Sequence, residues 1–97
     1  MSWSVTIRAA ADRDLLEIRN WYEKKRSGLG EDFLFAASEA LLRLEESAQR
    51  FPVYYRDFRR VLTKRFPFKI FYRIEGDSVV VHRVLHSAQD HTKRLES

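Results

Sequence analysis

The chain has 97 residues, a formal net charge of +4 at pH 7 and no cysteine. The length predicts a single domain over residues 1–97, and the lack of cysteine excludes disulfides, thiolate catalysis and cysteine-based zinc sites. No segment approaches the roughly 18 apolar residues of a membrane-spanning helix, and the N-terminus has no signal-peptide pattern. We therefore expect a cytoplasmic protein with no membrane contact.

The positive charge is concentrated in one half of the chain. Residues 1–49 carry 7 Lys/Arg and 9 Asp/Glu, a balance of −2, whereas residues 50–97 carry 11 and 5, a balance of +6. Such asymmetry is typical of a protein that binds an anionic macromolecule.

Side-chain periodicity predicts a strand followed by two helices. Apolar and polar residues alternate over residues 3–8, which indicates a strand. From about residue 10 to residue 26, apolar residues recur at helical spacing, with acidic residues in the first turn and basic residues in the last. A second helix is predicted from residue 31 to about residue 49, after a short break at residues 27–30. The short connection indicates an antiparallel helix pair.

Three strands are predicted in the basic half, at about residues 56–64, 68–75 and 78–85. Gly76 and Asp77 suit a two-residue hairpin turn between the last two. Residues 87–97 are predicted as a frayed tail or a short helix. The order β-α-α-β-β-β predicts an α+β fold, in which the helix pair covers one face of an antiparallel sheet and basic residues line the other, concave face. The position of the first strand in the sheet stays open.

Arg83 conflicts with the simplest form of this sheet. A two-residue turn at Gly76 and Asp77 would place Arg83 on the helix-covered side, where an unpaired arginine is costly. Three explanations are open: a longer loop, a β-bulge near His82 that resets the alternation, or a position of Arg83 close enough to an edge to reach water.

Cations on strands suit a partner that carries carboxylates or phosphates, because arginine can donate two parallel hydrogen bonds to either group. Docking of an acidic protein is the favoured interpretation, scattered surface charge the second, and direct nucleic-acid contact the third. Only one aromatic residue is expected between the cations, which argues against a base-stacking surface. The candidate binding residues are Arg56, Arg59, Arg60, Lys64, Arg65, Lys69, Phe71, Arg73, His82, Arg83 and His86.

Three histidines, His82, His86 and His91, could in principle bind a metal, but no metal-ligand spacing or convergent carboxylate accompanies them. We expect structural or partner-contact roles for them, and no metal, cofactor or small-molecule substrate.

Several motifs in this order resemble the RelE/ParE toxin superfamily of type II toxin–antitoxin systems. They cover nearly the whole chain, from about residue 3 to residue 90. The motifs are Ala11-x-x-Asp14-Leu15-x-x-Ile18-x-x-Trp21-Tyr22, Leu29-Gly30-x-x-Phe33, Ala40-Leu41-x-x-Leu44, Phe51-Pro52, Arg59-Arg60, Phe66-Pro67-Phe68-x-Ile70-x-Tyr72 and Asp77-x-Val79-x-Val81-x-x-Val84-Leu85-His86.

The resemblance implies a small bacterial toxin that is neutralised by an acidic antitoxin. A ParE-like toxin of this kind, as in plasmid stabilisation systems, would inhibit DNA gyrase by protein binding and would need no catalytic residues. A RelE-like toxin would instead cleave messenger RNA on the ribosome, and its catalytic candidates here would be Lys69, Arg73, Arg83 and His86. The tyrosine that this branch usually carries near the C-terminus has no counterpart. The ParE-like interpretation is favoured, and a non-toxic relative that only binds an antitoxin is the third alternative.

Overall fold

The computed structural model describes residues 3–89 and 91–96. Four residues of the predicted 1–97 domain lie outside the described residues. They are residues 1 and 2 at its start and residues 90 and 97 in the predicted 87–97 tail. The elements are β1 (Ser4–Ile7), α1 (Ala9–Lys25), α2 (Leu29–Ser47), β2 (Val53–Tyr55), β3 (Phe58–Leu62), β4 (Phe68–Glu75), β5 (Ser78–His86) and α3 (His91–Leu95).

The strands form one five-stranded sheet in the order β1-β5-β4-β3-β2. The predicted α+β class, with α1 and α2 packed on one face of the sheet, is confirmed. The sheet is mixed rather than wholly antiparallel, because β1 pairs with β5 in parallel, with Ser4 opposite Ser78 and Ile7 opposite Val81. The first strand therefore occupies an edge of the sheet, next to the last strand of the chain.

The strand predicted at about residues 56–64 is confirmed as β3, but the preceding strand, β2, was not predicted. β2 pairs antiparallel with β3, and the two meet at a tight turn where Tyr55 pairs with Phe58. Arg56 in this turn has a φ of +53°, a left-handed conformation that ends the first of the two strands. β2 has only 3 residues and follows Pro52, so its own alternation is too short to distinguish it from a loop.

The helix hairpin depends on Glu23 and Gly30. The Glu23 carboxylate accepts hydrogen bonds from the backbone N–H groups of Gly28 and Gly30, which have no partners inside a helix that starts here. These hydrogen bonds lower the pKa of Glu23. A Cβ atom on Gly30 would lie 2.6 Å from the Arg19 carbonyl oxygen, so the two helices can approach this closely only at glycine. The second helix thus begins at Leu29, earlier than predicted.

The main hydrophobic core fills the space between the helix pair and the sheet. Phe33 is completely buried, and the rings of Phe66 and Phe68 each lie 5.5 Å from its ring, edge to face. Tyr72 is also completely buried, and its hydroxyl donates a 2.6 Å hydrogen bond to the carbonyl oxygen of Ala48. Burial raises the pKa of Tyr72 to about 12. The tyrosine therefore stays neutral and ties the end of the second helix to β4.

A second, smaller core lies on the opposite side of the sheet, which we call the open face. It consists of Phe58, Phe71 and Leu85 from the strands and Leu95 from α3. The short-helix alternative for the chain's end is confirmed over His91–Leu95. Because α3 is short, it covers only part of this face.

Candidate functional site

A β-bulge resolves the conflict over Arg83. Glu75 pairs with Ser78, so Gly76 and Asp77 form the predicted two-residue turn, and Gly76 has a φ of +66°. Farther along, Phe71 pairs with Arg83 but Tyr72 pairs with Val81, which leaves one extra residue in β5. That residue is His82. The longer-loop explanation is therefore wrong, and the bulge explanation is confirmed.

Arg83 is not unpaired, because it forms an ion pair with Asp14 of α1. Its Nε and Nη2 atoms donate hydrogen bonds of 2.7 and 2.9 Å to the two carboxylate oxygens. Asp14 also accepts a 2.9 Å hydrogen bond from the backbone N–H of Val84, at the edge of β5 that β1 does not reach. The hydrogen bonds to Asp14 raise the pKa of Arg83. Arg83 therefore connects the first helix to the sheet.

The predicted cations do not all share the open face. Arg59 pairs with Tyr72 across β3 and β4, and its Nη1 atom donates to the carbonyl oxygens of Gln49 and Phe51, at 3.2 and 2.7 Å. It therefore lies on the helix-covered side. Arg65 forms a 3.7 Å ion pair with Asp32 of α2. The expectation of one shared face is wrong for Arg59, because strand alternation directs it towards the helices, and for Arg65, because it pairs with α2. Arg83 has the alternation of Phe71, with which it pairs, but its guanidinium is bound to Asp14 at the edge of β5.

Arg60, Lys69 and Arg73 do lie on the open face. Arg60 pairs with Phe71 across the strands, so both side chains project from the same side of the sheet. Lys69 and Arg73 are each two residues from Phe71 along β4, so their side chains project from the same side of the sheet as Phe71. Burial, followed by the charge of Arg60, lowers the pKa of Lys69. These three cations form the basic part of the open face.

Tyr54 contacts both these cations and other aromatic rings of the open face. Its ring lies 4.2 Å from the guanidinium carbon of Arg60 and 6.0 Å from Nζ of Lys69. It also lies 5.6 Å from the ring of Phe71 and 5.8 Å from that of His91. Tyr54 is 41% exposed. The open face thus combines an exposed aromatic ring with two positive charges.

A depression of about 670 Å³ lies beside this group, and we call it the His82 cleft. His82 is buried, its ring is 4.8 Å from that of Phe58, and Nη1 of Arg8 lies 2.9 Å from its Nδ1 and 3.0 Å from its Nε2. Burial, followed by the charges of Arg8, Arg73 and Arg83, lowers the pKa of His82. The cleft is lined by Arg56, Asp57, Phe58, Arg73, His82, Leu95 and Glu96.

The remaining predicted residues lie at the margins. Arg56 donates to Glu96 of the C-terminal segment at 3.2 Å, and Lys64 is exposed in the connection between β3 and β4. His86 lies on the helix-covered side, with its ring 5.2 Å from that of Phe68. Its backbone carbonyl accepts a 2.9 Å hydrogen bond from Nε2 of His91.

The described residues contain neither a metal-binding cluster nor a membrane-spanning helix. No group of three or more His, Cys, Asp or Glu side chains in residues 3–89 and 91–96 is placed to hold a metal ion. Within the same residues, no helix combines the length and apolar character needed to cross a bilayer.

Comparison with known proteins identifies the family. A family model described as the ParE toxin of the type II toxin–antitoxin system parDE matches residues 5–91. The chain belongs to the ParE toxin family. The resemblance to the RelE/ParE superfamily is thereby confirmed, and the protein is a toxin of a type II toxin–antitoxin system. A search of curated proteins found no match.

Two solved structures share the fold of this ParE family member. One comes from the chromosomal ParDE toxin–antitoxin system of P. aeruginosa, with a TM-score of 0.79 and 19% identity, covering 88% of this chain and 96% of that chain. The other comes from the RelBE2 toxin–antitoxin complex of Mycobacterium tuberculosis, with a TM-score of 0.66 and 22% identity, covering 89% of this chain and 99% of that chain.

Proposed function

We propose that this ParE family member is a non-enzymatic toxin that inhibits DNA gyrase by protein binding. We propose further that a cognate acidic antitoxin neutralises it. The gyrase target follows from the ParE-like resemblance, and the antitoxin from both the resemblance and the toxin–antitoxin complexes that share the fold. The basic open face supplies the binding surface.

The observation that carries the non-enzymatic part is the separation of the ribonuclease candidates. Lys69 and Arg73 lie on the open face, and Arg83 is bound to Asp14 at the edge of β5. His86 packs against Phe68 on the opposite, helix-covered side. General acid–base cleavage needs the proton-transfer groups within hydrogen-bond reach of one substrate position. Residues on opposite faces of a sheet do not meet this requirement.

The open face has the mixed character of a protein-binding surface. Tyr54 and Leu62 are 41% and 51% exposed, and they stand beside Arg60 and Lys69. Aromatic residues and arginine are the side chains most enriched in protein interfaces. A disordered acidic segment could order itself along such a surface, because charge pairing and apolar burial offset its loss of conformational entropy.

A supercoiling assay with purified gyrase tests the proposal. Addition of the wild-type chain should stop the supercoiling of relaxed plasmid, and induced expression in cells should arrest growth with a DNA-damage response. Prior mixing with the cognate antitoxin should restore supercoiling. Message integrity and translation are measured in the same cells.

Two outcomes would contradict the proposal. Cleaved messages and blocked translation with normal supercoiling would favour a ribosome-dependent endoribonuclease. Normal growth, with antitoxin binding retained, would favour a non-toxic relative that only binds an antitoxin.

A further inference from the structure

Arg73 is a charged group on the open face with a buried atom that lacks a partner. Its Nε atom is buried and has no hydrogen-bond partner in residues 3–89 and 91–96. Its only ion pair there is with Asp57, whose Oδ1 atom lies 3.7 Å from Nη1, beyond hydrogen-bonding distance. Buried polar groups in native proteins are nearly always hydrogen-bonded, so such an arginine indicates a missing partner.

The surroundings of Arg73 hold its guanidinium in place without neutralising it. The guanidinium carbon lies 5.0 Å from the ring of Phe58, which supports the group from one side. Arg8 and Arg73 both approach His82, and burial together with these positive charges favours the neutral form of the imidazole. The nearest carboxylate, Asp57, has a side chain that is 70% exposed, so solvent weakens its attraction.

We propose that the His82 cleft binds a carboxylate side chain of an acidic polypeptide, with Arg73 as the principal contact. The guanidinium can donate two parallel hydrogen bonds to the carboxylate. Arg56 in the lining of the cleft and Arg8 against His82 add positive charge. This inference deepens the proposed function and rests on it, since the antitoxin would supply the acidic segment.

A polypeptide fits this site better than a nucleic acid. The rim of the cleft carries two acidic residues, Asp57 and Glu96. A single carboxylate can enter between them, whereas the regularly spaced phosphates of an RNA strand would also pass close to both acids. Phe58 and Leu95 give the cleft an apolar part that suits the aliphatic stem of a glutamate.

NMR titration of the full-length chain tests the site. The probes are acetate, a capped pentaglutamate peptide and hexauridylate without terminal phosphates, and the last two carry the same charge. Acetate and pentaglutamate should shift the Nε–H resonance of Arg73. Arg73→Gln should weaken pentaglutamate binding about tenfold, the value of one charge-assisted hydrogen-bonded contact. Arg73→Lys should lose part of this affinity, because it keeps the charge but not the planar fork.

Arg26→Gln is the matched control, because Arg26 is an exposed arginine at the opposite end of α1 from Arg8, which contacts the cleft. It should leave pentaglutamate binding unchanged. Equal peptide affinity of Arg73→Gln and wild type, measured on variants with wild-type melting temperatures, would overturn the proposal. Tighter Arg73-dependent binding of hexauridylate than of pentaglutamate would overturn it in favour of RNA.

The same titration separates this inference from the proposed function. If the chain binds the peptide through Arg73 but leaves gyrase active, the carboxylate site stands and gyrase inhibition is refuted. If the chain inhibits gyrase but binds the peptide equally well without Arg73, gyrase inhibition stands and the carboxylate site is refuted.

Discussion

The two faces of the sheet satisfy their charged and polar groups in opposite ways. On the helix-covered face, Arg59 donates hydrogen bonds to two backbone carbonyls, and the hydroxyl of Tyr72 donates to a third. On the open face, the buried Nε atom of Arg73 has no hydrogen-bond partner within the described residues. The contrast indicates that the first face stabilises the fold, whereas the second keeps binding capacity for another molecule.

Phe33→Ala tests the helix-covered face and should have the largest effect on stability. Phe33 is completely buried among aromatic rings, and the substitution removes a large volume that neighbours cannot refill. We expect a loss of about 3–5 kcal/mol in the free energy of unfolding. Chemical denaturation measures this value, and a loss below about 1 kcal/mol would show that the core is not as closely packed as described.

Asp14→Ala should have the next largest effect on stability. It leaves Arg83 without its carboxylate partner in a site where the two side chains are 18% and 11% exposed. Breaking a buried ion pair costs about 3–5 kcal/mol, and this partly exposed pair should lie at the lower end. A double-mutant cycle with Arg83→Leu measures the coupling free energy. Additive effects of the two substitutions would contradict the pairing.

Tyr72→Phe is a smaller and more specific test. The variant keeps the ring but leaves the Ala48 carbonyl without the hydroxyl that donates to it. An unsatisfied buried group costs about 1–3 kcal/mol. Thermal unfolding should show a lower melting temperature than wild type, and an unchanged melting temperature would mean that water replaces the hydroxyl.

The pH dependence of stability tests the His82 cleft. The pKa of His82 is lowered in the folded protein, so the unfolded chain binds more protons between that lowered pKa and about 6.5. The stability contributed by neutral His82 is therefore complete above about pH 6.5 and is lost as the pH falls towards the lowered pKa. We expect His82→Gln to reduce the loss of stability on acidification, measured by denaturation at a series of pH values.

Arg8→Gln sharpens this test, because the charge of Arg8 is a smaller cause of the lowered pKa than burial. Its effect on the acid sensitivity should lie between those of wild type and His82→Gln. An acid sensitivity of His82→Gln equal to that of wild type would contradict the assignment of this slope to His82.

Arg60→Gln should have the smallest effect on stability. Arg60 lies over the ring of Tyr54, and an exposed contact of this kind contributes about 0.5–1 kcal/mol. If the open face is a binding surface, denaturation should show a loss within this range. A loss comparable to that of Asp14→Ala would remove the distinction between the two faces.

Local patterns were sufficient to predict the helix pair and the hairpin of β4 and β5, because helical periodicity and the Gly76–Asp77 turn are encoded by neighbouring residues. The conflict over which face of the sheet Arg83 occupies also indicated a bulge near His82. The parallel pairing of β1 with β5 could not be predicted, because it depends on contacts between the two ends of the chain.

The site was predicted less completely than the fold. Arg59 and Arg60 are consecutive in a strand and must point to opposite faces, so alternation alone could have excluded a shared face. Arg8 was missed because it lies 74 residues before His82, outside the basic half. Tyr54 was missed because its strand has only 3 residues.

Gyrase supercoiling with the double variant Arg60→Gln/Arg73→Gln tests most directly whether the open face is the binding surface. We predict that wild type stops supercoiling, whereas the double variant, with a melting temperature close to that of wild type, leaves gyrase active. Inhibition by the double variant at the same concentration as wild type would contradict the account.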